Sequence, residues 1–296
     1  MNGVLISAPA KLNLTLEVTG KLENGYHTLD MLMQTVDLCE KIIVTKAEGI
    51  TVHCIGSDGE PLDGIPADRH NTAFKAAMLF FEAAEVGGGA KIDITKEVPV
   101  GAGMGGGSAD AAGVLAGLNE LYGRPLTQER LLRLGKQAGA DVPFALTGGT
   151  ARVRGIGEQI EAVKAPPACV FCVAMPPKGC GTQEGYAKYD ALGGGEKPDN
   201  GAAVAALEKN DLAALCGQMK NELEKPCATE ETAKLTALLR ENGAMAALMT
   251  GSGAAVYGVF ADQQAASRAA RAVPPSLASV RVLHPVQHGP VIENIF

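Results

Sequence analysis

The residues best suited to chemistry lie in the segment from Pro99 to Ala112, which reads PVGAGMGGGSADAA. Five of the seven positions from Gly101 to Gly107 are glycine, and Ser108 closes the run. Such a run disfavours a helix interior or an ordinary strand, but it allows backbone N–H groups to approach a ligand closely. Amide donors gathered in one loop favour an anion, so the segment indicates a phosphate-binding site.

The elements on either side of this glycine loop (Pro99–Gly107) support that interpretation. Lys91–Thr95 alternates between polar and apolar residues, which predicts a strand. Ser108–Tyr122 carries apolar residues at helical spacing, and Gly123 followed by Pro125 is a stop signal. A strand, a glycine loop and a helix N-terminus together present free amides and roughly half a positive charge at the helix end.

Three common kinds of glycine loop fit this sequence poorly. Gly101-x-Gly103-x-x-Gly106 matches the dinucleotide fingerprint, as almost any glycine-dense run does. That fold needs an acidic residue at the tip of the next strand, roughly 20 residues on, but Thr127–Ala138 predicts another helix. No Gly-Lys-Ser/Thr sequence closes the run, as a P-loop requires. The loop of protein kinases lies between two strands, whereas this one opens a helix.

Other polar residues have ordinary structural interpretations when each is taken alone. Lys11 precedes the alternating strand Leu12–Thr19 and could be a solvated strand-end charge. Asp141 stands in a turn between a glycine and a proline, where aspartate is a common turn former. Ser108 could cap the helix, hold a phosphate oxygen or Mg²⁺, or do both.

The rest of the chain predicts mixed strands and helices. Further strands are predicted over Leu29–Val36, Lys41–Lys46, Ile50–Ile55 and Cys169–Met175. Asn71 is expected to cap a helix that carries Phe74, Met78 and Phe81 on one face. Cys169 and Cys172 lack a second pair of ligands at zinc spacing, so both are expected to be buried thiols.

The glycine loop resembles the central ATP-phosphate motif of the GHMP kinases, the superfamily of galactokinase, homoserine kinase and mevalonate kinase. The segment APAKLNL at Ala8–Leu14 is similar to the first motif of that family. Thr-Gly-Ser-Gly at Thr250–Gly253, between two apolar strands, is similar to the third. Gly25-Tyr26-His27 resembles the tag of one branch, whose substrate is the cytidine diphosphate derivative of methylerythritol.

The resemblance covers nearly the whole chain and implies an α+β, two-lobed GHMP kinase fold. The N-terminal lobe is expected to resemble domain 2 of ribosomal protein S5 and to bind ATP, over residues 1–164. The C-terminal lobe, over residues 165–296, is expected to be ferredoxin-like. The active site would lie in the cleft between the lobes.

The resemblance also implies an activity, which is phosphorylation of the substrate's 2-hydroxyl by ATP, with Mg²⁺, in the non-mevalonate isoprenoid pathway. Asp141 matches the catalytic aspartate and Lys11 its electrostatic partner. The implied ATP-binding residues are Lys96, Pro99, Gly101, Ala102, Gly103, Met104, Gly105, Gly106, Gly107 and Ser108. The implied substrate-binding residues are Asn13, Tyr26, His27, Thr182, Tyr186, Gly251, Ser252 and Gly253, with Tyr26, His27 and Tyr186 around the cytosine ring.

Two alternatives stay open. Another GHMP kinase would share the glycine loop but gives no reason for the pair Tyr26-His27. A catalytically inactive nucleotide-binding regulator of the same fold is expected to have lost Lys11 or Asp141, and this sequence has both. One segment departs from the family pattern, because Glu222 replaces an aspartate in Asn221–Glu224, and it is left out of the predicted site.

Composition and charge limit the classes of partner that this chain can bind. The 296 residues carry a net charge of −7, which disfavours nucleic acid and anionic membrane surfaces as partners. No segment approaches the roughly 20 apolar residues of a membrane span, and the N-terminus lacks the basic and apolar regions of a signal peptide. Seven cysteines, an odd number, indicate reduced thiols, so a cytoplasmic enzyme with a small-molecule substrate is expected. Nothing in the sequence predicts the oligomeric state.

Overall fold

The computed structural model of the chain describes residues 2–62 and 64–296, which form two β-sheets with helices packed against them. The strands of the first sheet are β1 (Gly3–Lys21), β2 (His27–Ala47), β3 (Thr51–Gly56), β4 (Gly89–Lys96), β5 (Thr150–Gly155), β6 (Gln159–Ala162) and β11 (Val291–Ile295). Those of the second are β7 (Val170–Met175), β8 (Ala246–Met249), β9 (Val256–Phe260) and β10 (Ser279–Leu283).

Helices occur in both halves of the chain. Those of the first half are α1 (Thr72–Ala84), α2 (Gly106–Leu121), α3 (Gln128–Ala138) and α4 (Val142–Thr147). Those of the second are α5 (Thr182–Leu192), α6 (Asn200–Glu208), α7 (Leu212–Gln218), α8 (Glu224–Cys227), α9 (Glu230–Glu241) and α10 (Gln263–Ala272). Within residues 2–62 and 64–296, none of them combines the length and apolar character needed to cross a bilayer.

The first sheet has the strand order β11-β1-β2-β4-β3, and β5 and β6 extend it beside the first half of β2. Its neighbours are antiparallel except for the parallel pair β3 and β4. Helices α1 and α2 cover one face, where Ile42 and Ile92 of the sheet pack in one core with Ala111 and Leu115 of α2. The predicted apolar face of α2 is therefore confirmed, and this sheet is the platform that carries the glycine loop.

The second sheet is antiparallel, in the order β10-β7-β9-β8. Its core is continuous with the far halves of β1 and β2, because Leu12 and Leu32 pack in the same cluster as Phe171 and Tyr257. The two sheets therefore share buried residues along β1 and β2. The division at residues 164 and 165 stays a prediction, and the last strand, β11, crosses it by pairing with β1.

Strand β1 is longer and more buried than its sequence predicts. Its predicted inner residues, from Leu12 to Val18 at alternate positions, are confirmed as buried. Asn13 and Thr15 on the other face are also buried, since the second half of the chain packs there. Lys11 lies within β1 and is only 7% exposed, so the interpretation of a solvated strand-end charge is wrong.

Two predicted strands, Leu29–Val36 and Lys41–Lys46, are parts of the single strand β2. The first half of β2 pairs with β5 and the second half with β4, so one strand has different neighbours along its length. The backbone of β2 stays extended where its neighbour changes from β5 to β4, so the polar residues between the two predicted strands do not interrupt it. Local pattern alone could not show this continuity.

Helix α1 confirms the predicted cap, since the Asn71 side chain accepts a hydrogen bond from the Ala73 N–H. On the face named from the sequence, Phe74 and Phe81 are partly buried against the core, whereas Met78 is 45% exposed. The core side of α1 consists of Ala73, Ala76, Ala77 and Phe80. Small side chains allow α1 to approach α2 closely, and alanine contributes little to a hydrophobic pattern read from sequence.

Candidate active site

The glycine loop ends in helix α2, whose N-cap residue is Gly105 with a φ of 73°. No side chain caps this helix, so its first N–H groups lack an intrahelical partner and can bind an anion. Ser108 is the third residue of the helix, and the prediction that it could be the N-cap is wrong. Ser108 as a whole residue is half-buried in the first turn.

The other loop residues divide into two groups. The side chains of Ala102 and Met104 are buried in the core, so only their backbone atoms can face a ligand. Pro99 is exposed at the start of the loop. A side chain at Gly105 would meet Lys11, because an added Cβ would lie 3.0 Å from Lys11 Cγ. Lys11 therefore passes directly against the start of α2.

The third-motif loop (Thr250–Ala254) packs against the glycine loop through backbone atoms. The Ala254 N–H donates to the Gly101 carbonyl oxygen at 3.1 Å, and the Ala255 N–H donates to that of Ala102 at 3.0 Å. The predicted residues Gly251, Ser252 and Gly253 lie in this loop, with Ser252 buried. The structure thus brings the second and third motifs together across about 150 residues of sequence.

Asn221 holds the third-motif loop from the other side. Its Nδ2 donates to the carbonyl oxygens of Met249 at 2.9 Å and Gly251 at 2.8 Å. The neighbouring Glu222 accepts a hydrogen bond from the Val18 N–H at 2.7 Å. The segment left out of the predicted site is therefore a support for it, and its similarity to a family segment is the signal that could have shown this.

Lys11 is positioned by an irregularity in β1. The register of β1 against β2 shifts between Pro9 and Lys11 and again between Asn13 and Thr15, and such shifts redirect side chains. The Lys11 N–H donates to the Met104 carbonyl oxygen at 2.9 Å, which ties β1 to the glycine loop. Lys11 Nζ donates to Asn13 Oδ1 at 2.6 Å.

Asp141 is the second member of the charged pair. Its Oδ2 lies 3.8 Å from Lys11 Nζ, and its side chain is 33% exposed. Asp141 precedes the short helix α4, where Pro143 occupies the first turn and so begins a helix, having no N–H to pair there. Its carboxylate makes no capping hydrogen bond. One oxygen therefore faces Lys11, and the group stays partly open to a ligand.

Lys11 is more deeply buried than Asp141. Burial lowers the pKa of Lys11, and the negative charge of Asp141 opposes that shift. A buried ammonium acts on nearby oxygens more strongly than one in water, because the effective dielectric is lower. Lys11 can therefore stabilise negative charge on an oxygen beside Asp141.

The predicted base-binding residues lie on two elements that meet near this pair. His27 begins β2, and its ring stacks on Tyr186 of α5 with centroids 4.7 Å apart and an interplanar angle of 14°. Burial raises the pKa of Tyr186, and the nearby charge of Asp141 raises it further. Tyr26 is 58% exposed and lines a cavity of about 140 Å³ with Gly139 and Ala140.

Helix α5 reaches this position because Gly185 lies against the third-motif loop. A Cβ at Gly185 would be only 2.7 Å from Ser252 Cβ. Thr182 is the first residue of α5 and is exposed in its first turn. A larger cavity, of about 520 Å³, lies between β1, β2 and the end of the chain, and no predicted site residue lines it.

Sequence reasoning missed Asp190, which contacts His27. Asp190 Oδ1 lies 2.8 Å from His27 Nε2, and its Oδ2 accepts from Lys21 Nζ at 2.6 Å. Asp190 follows Tyr186 by four residues, so both lie on one face of α5. That spacing is the signal that could have identified it.

Lys96 is held in a buried cluster below the glycine loop, the Lys96 cluster (Glu40, Lys96 and Asp110). Lys96 Nζ forms ion pairs with the carboxylates of Glu40 and of Asp110, the latter at 2.6 Å. Glu40 Oε2 also accepts from the Glu97 N–H at 2.7 Å. A Cβ at Gly106 would lie 2.8 Å from Glu40 Oε1, so the cluster sits directly beneath the start of α2. Contact between Lys96 and a nucleotide stays a prediction.

The Lys96 cluster makes stability depend on pH. Burial raises the pKa of Glu40 to about 7, and Lys96 limits the rise. The glutamate of an unfolded chain titrates near pH 4.3, so folding favours the protonated form. This contribution is fully present below the unfolded pKa and is lost as the pH rises through about 7. It amounts to about 3 kcal/mol of unfolding free energy.

Urea unfolding of the wild type and of Glu40→Gln between pH 4 and pH 8 measures this effect. We expect wild-type stability to fall by about 3 kcal/mol more than that of the variant over this range, because glutamine does not titrate. Glu82→Gln on α1 is the control, since Glu82 is exposed. Equal pH dependence in the wild type and Glu40→Gln would contradict the assignment.

The seven cysteines have free thiols, and Cys169 and Cys172 are buried as predicted. Among the residues described, no three His, Cys, Asp or Glu side chains lie close enough together to hold a metal ion. Mg²⁺ in phosphoryl-transfer enzymes is commonly held mainly by phosphate oxygens, with few protein ligands.

Comparison with known proteins identifies the family of the chain. The model of the GHMP kinases N terminal domain matches residues 71–149, and that of GHMP kinases C terminal matches residues 203–278. Together these matches cover more than half of the chain. The fold and the phosphate loop define an ATP-dependent small-molecule kinase, and the chain belongs to the GHMP kinase family.

Closer relatives specify the branch. The chain is 38% identical over 269 residues to the 4-diphosphocytidyl-2-C-methyl-D-erythritol kinase of Caldicellulosiruptor saccharolyticus, a match that covers 90% of the chain and 91% of the relative. The crystal structure of a 4-(cytidine 5'-diphospho)-2C-methyl-D-erythritol kinase is 33% identical, with a TM-score of 0.75, and covers 94% and 98% of the two chains. The branch to which the chain belongs is therefore that of the 4-diphosphocytidyl-2-C-methyl-D-erythritol kinases.

The fold itself extends further than this branch. A homoserine kinase from Cytophaga hutchinsonii is 19% identical with a TM-score of 0.80, covering 99% of the chain and 98% of that structure. At this identity the likeness concerns the fold alone. It agrees with the two-lobed GHMP architecture that the family models and the structure at 33% identity show.

Proposed function

We propose that this kinase transfers the γ-phosphoryl group of ATP to the 2-hydroxyl of 4-diphosphocytidyl-2-C-methyl-D-erythritol. The observation that carries the proposal is the pair Lys11 and Asp141, 3.8 Å apart beside the glycine loop and close to Tyr186. The names of relatives at 38% and 33% identity support this choice of acceptor.

Asp141 is the base in this proposal. Its carboxylate is free of capping bonds and partly exposed, so it can accept the proton of a substrate hydroxyl placed beside it. Lys11 stabilises the negative charge that develops on the attacking oxygen. Phosphoryl transfer needs little more than such a pair and donors for the phosphate oxygens.

The phosphates of ATP would lie at the start of α2. The N–H groups of Gly106, Gly107 and Ser108 have no intrahelical acceptor and point toward the helix N-terminus. The Ser108 hydroxyl is the residue proposed to hold Mg²⁺, which when bound neutralises charge on the transferred phosphoryl group. The supporting observation is that Ser108 is not engaged as the helix cap.

The cytosine ring would lie among Tyr26, His27 and Tyr186. Aromatic rings bind a base by stacking, and the exposed Tyr26 offers a face that is open to a ligand. The polar edge of His27 adds the hydrogen-bonding capacity needed to distinguish one base from another.

ATP consumption by the purified chain with Mg²⁺ tests the proposal. 4-Diphosphocytidyl-2-C-methyl-D-erythritol, homoserine and mevalonate are offered as acceptors in parallel, and we expect turnover with the first alone. Turnover with another acceptor would be consistent with the proposed phosphate-binding loop but would contradict the proposed cytosine site. ATP binding without turnover of any acceptor would instead support a regulatory protein.

A further inference from the structure

The ring of His27 is held on three sides. Tyr186 stacks on it, and Tyr189 meets it edge-on with centroids 5.9 Å apart. Asp190 Oδ1 lies 2.8 Å from Nε2, and only 7% of the His27 side chain is exposed. A ring fixed in this way presents its remaining nitrogen, Nδ1, in one direction.

The contact with Asp190 also fixes where the ring proton lies. An ionised carboxylate only accepts hydrogen bonds. Hydrogen bonds from Lys21 and then His27 lower the pKa of Asp190, which keeps the carboxylate ionised. In the neutral imidazole Nε2 therefore carries the proton, and Nδ1 is left with a lone pair that accepts. Among the residues that the structure describes, no donor is bound to Nδ1.

An accepting Nδ1 distinguishes the two pyrimidines. Cytosine carries an amino group, a donor, at position 4, where uracil carries a carbonyl oxygen, an acceptor. A donor facing Nδ1 forms a hydrogen bond, whereas a carbonyl oxygen there leaves two acceptors facing each other without a proton. From these contacts we propose that Asp190 is a specificity-determining positioning residue, which sets the tautomer of His27 and so selects cytosine over uracil.

This inference rests on the proposed function, because it requires that His27 faces the base of the nucleotide substrate. The alternative for Asp190 is a purely structural role, in which its ion pair with Lys21 ties α5 to the end of β1. The two roles separate by substitution. Asp190→Asn can present either its oxygen or its amino group to Nε2, so it no longer imposes a tautomer. Lys21→Met removes the ion pair but keeps the carboxylate.

The first measurement is the ¹⁵N spectrum of histidine-labelled protein, which reports the tautomer of His27 without any substrate. We expect the Nε2–H form in the wild type and in Lys21→Met, and a mixture of tautomers in Asp190→Asn. His27→Gln identifies the signal, and His53, which is exposed, serves as an internal reference. An Nδ1–H form in the wild type would overturn the proposal.

The second measurement is the preference for CDP over UDP in calorimetric binding, followed by the same comparison in kcat/KM for the cytidine and uridine forms of the substrate. We expect the preference to fall by about 10-fold or more in Asp190→Asn, mainly through KM. Asp190→Glu should restore part of it, and Lys21→Met should keep it. An unchanged preference in Asp190→Asn would overturn the proposal.

Failure of the proposed function gives a different result. In that case the wild type would turn over neither nucleotide substrate and would bind CDP and UDP equally, although the ¹⁵N spectrum still shows the Nε2–H form. Equal binding of CDP and UDP by the wild type would also overturn the selectivity step. If Asp190→Asn still prefers CDP, the proposed substrate stands but Asp190 has no role in recognising it.

Discussion

Asp141→Asn is expected to lower kcat by roughly 10²- to 10⁴-fold, the usual loss when a general base is removed. Asparagine keeps the size of the side chain but cannot accept a proton from the attacking hydroxyl. It also leaves Lys11, only 7% exposed, without its charged partner. The proposed ATP contacts lie on the glycine loop, so KM for ATP should change much less than kcat.

This substitution should leave the fold intact. Asp141 makes no capping hydrogen bond, and its side chain is 33% exposed. Steady-state kinetics measure the loss of kcat, and a thermal melt of the same variant checks that the fold is intact. The control is Asp93→Asn, which removes a partly exposed carboxylate paired with Lys91 on the first sheet and should not change kcat. Turnover near the wild-type rate in Asp141→Asn would exclude Asp141 as the base.

The second large effect is expected from Gly103→Ala in the glycine loop. The φ of Gly103 is 76°, and an added Cβ would lie 2.1 Å from the Thr250 carbonyl oxygen. That atom belongs to the backbone of the third-motif loop, so it cannot rotate away as a side chain would. The glycine loop must shift to make room. A misplacement of about 1 Å in a catalytic site can cost roughly 100-fold in rate.

We therefore expect Gly103→Ala to raise KM for ATP by at least about 10-fold and to lower the melting temperature. Gly123→Ala is the matched control, because Gly123 also has a positive φ, of 80°, but no atom lies within 4 Å of the added Cβ. It should cost only about 1 kcal/mol of stability and leave KM for ATP unchanged. Similar behaviour of the two variants would show that the contact with Thr250 has no role in ATP binding.

The features that the sequence predicts correctly are local ones. The alternation in β1, the apolar face of α2 and the Asn71 cap each depend on neighbouring residues along one element. The pairing of Lys11 with Asp141 was predicted through resemblance to a family, and the structure places the two side chains 3.8 Å apart. Composition and periodicity alone would not have joined residues so distant in sequence.

The features that the sequence did not predict arise from packing between distant segments. Lys11 is buried because the glycine loop and the start of α2 pack against it, and a lysine in an alternating strand gives no sign of that contact. Glu40 contacts Lys96 across neighbouring strands of the first sheet, and Asp190 contacts His27 across 163 residues. Each is a polar residue on an element whose pattern specifies only its apolar face, so its partner depends on the assembled fold.

The pairing of β11 with β1 has a consequence for synthesis of the chain. The Gly3 N–H donates to the carbonyl oxygen of Phe296, so the first and last residues of the fold are neighbours. The strand that carries Lys11 therefore keeps one open edge until β11 has left the ribosome. A chain that stops before β11 would hold every proposed catalytic residue but would expose that edge to pairing with other chains.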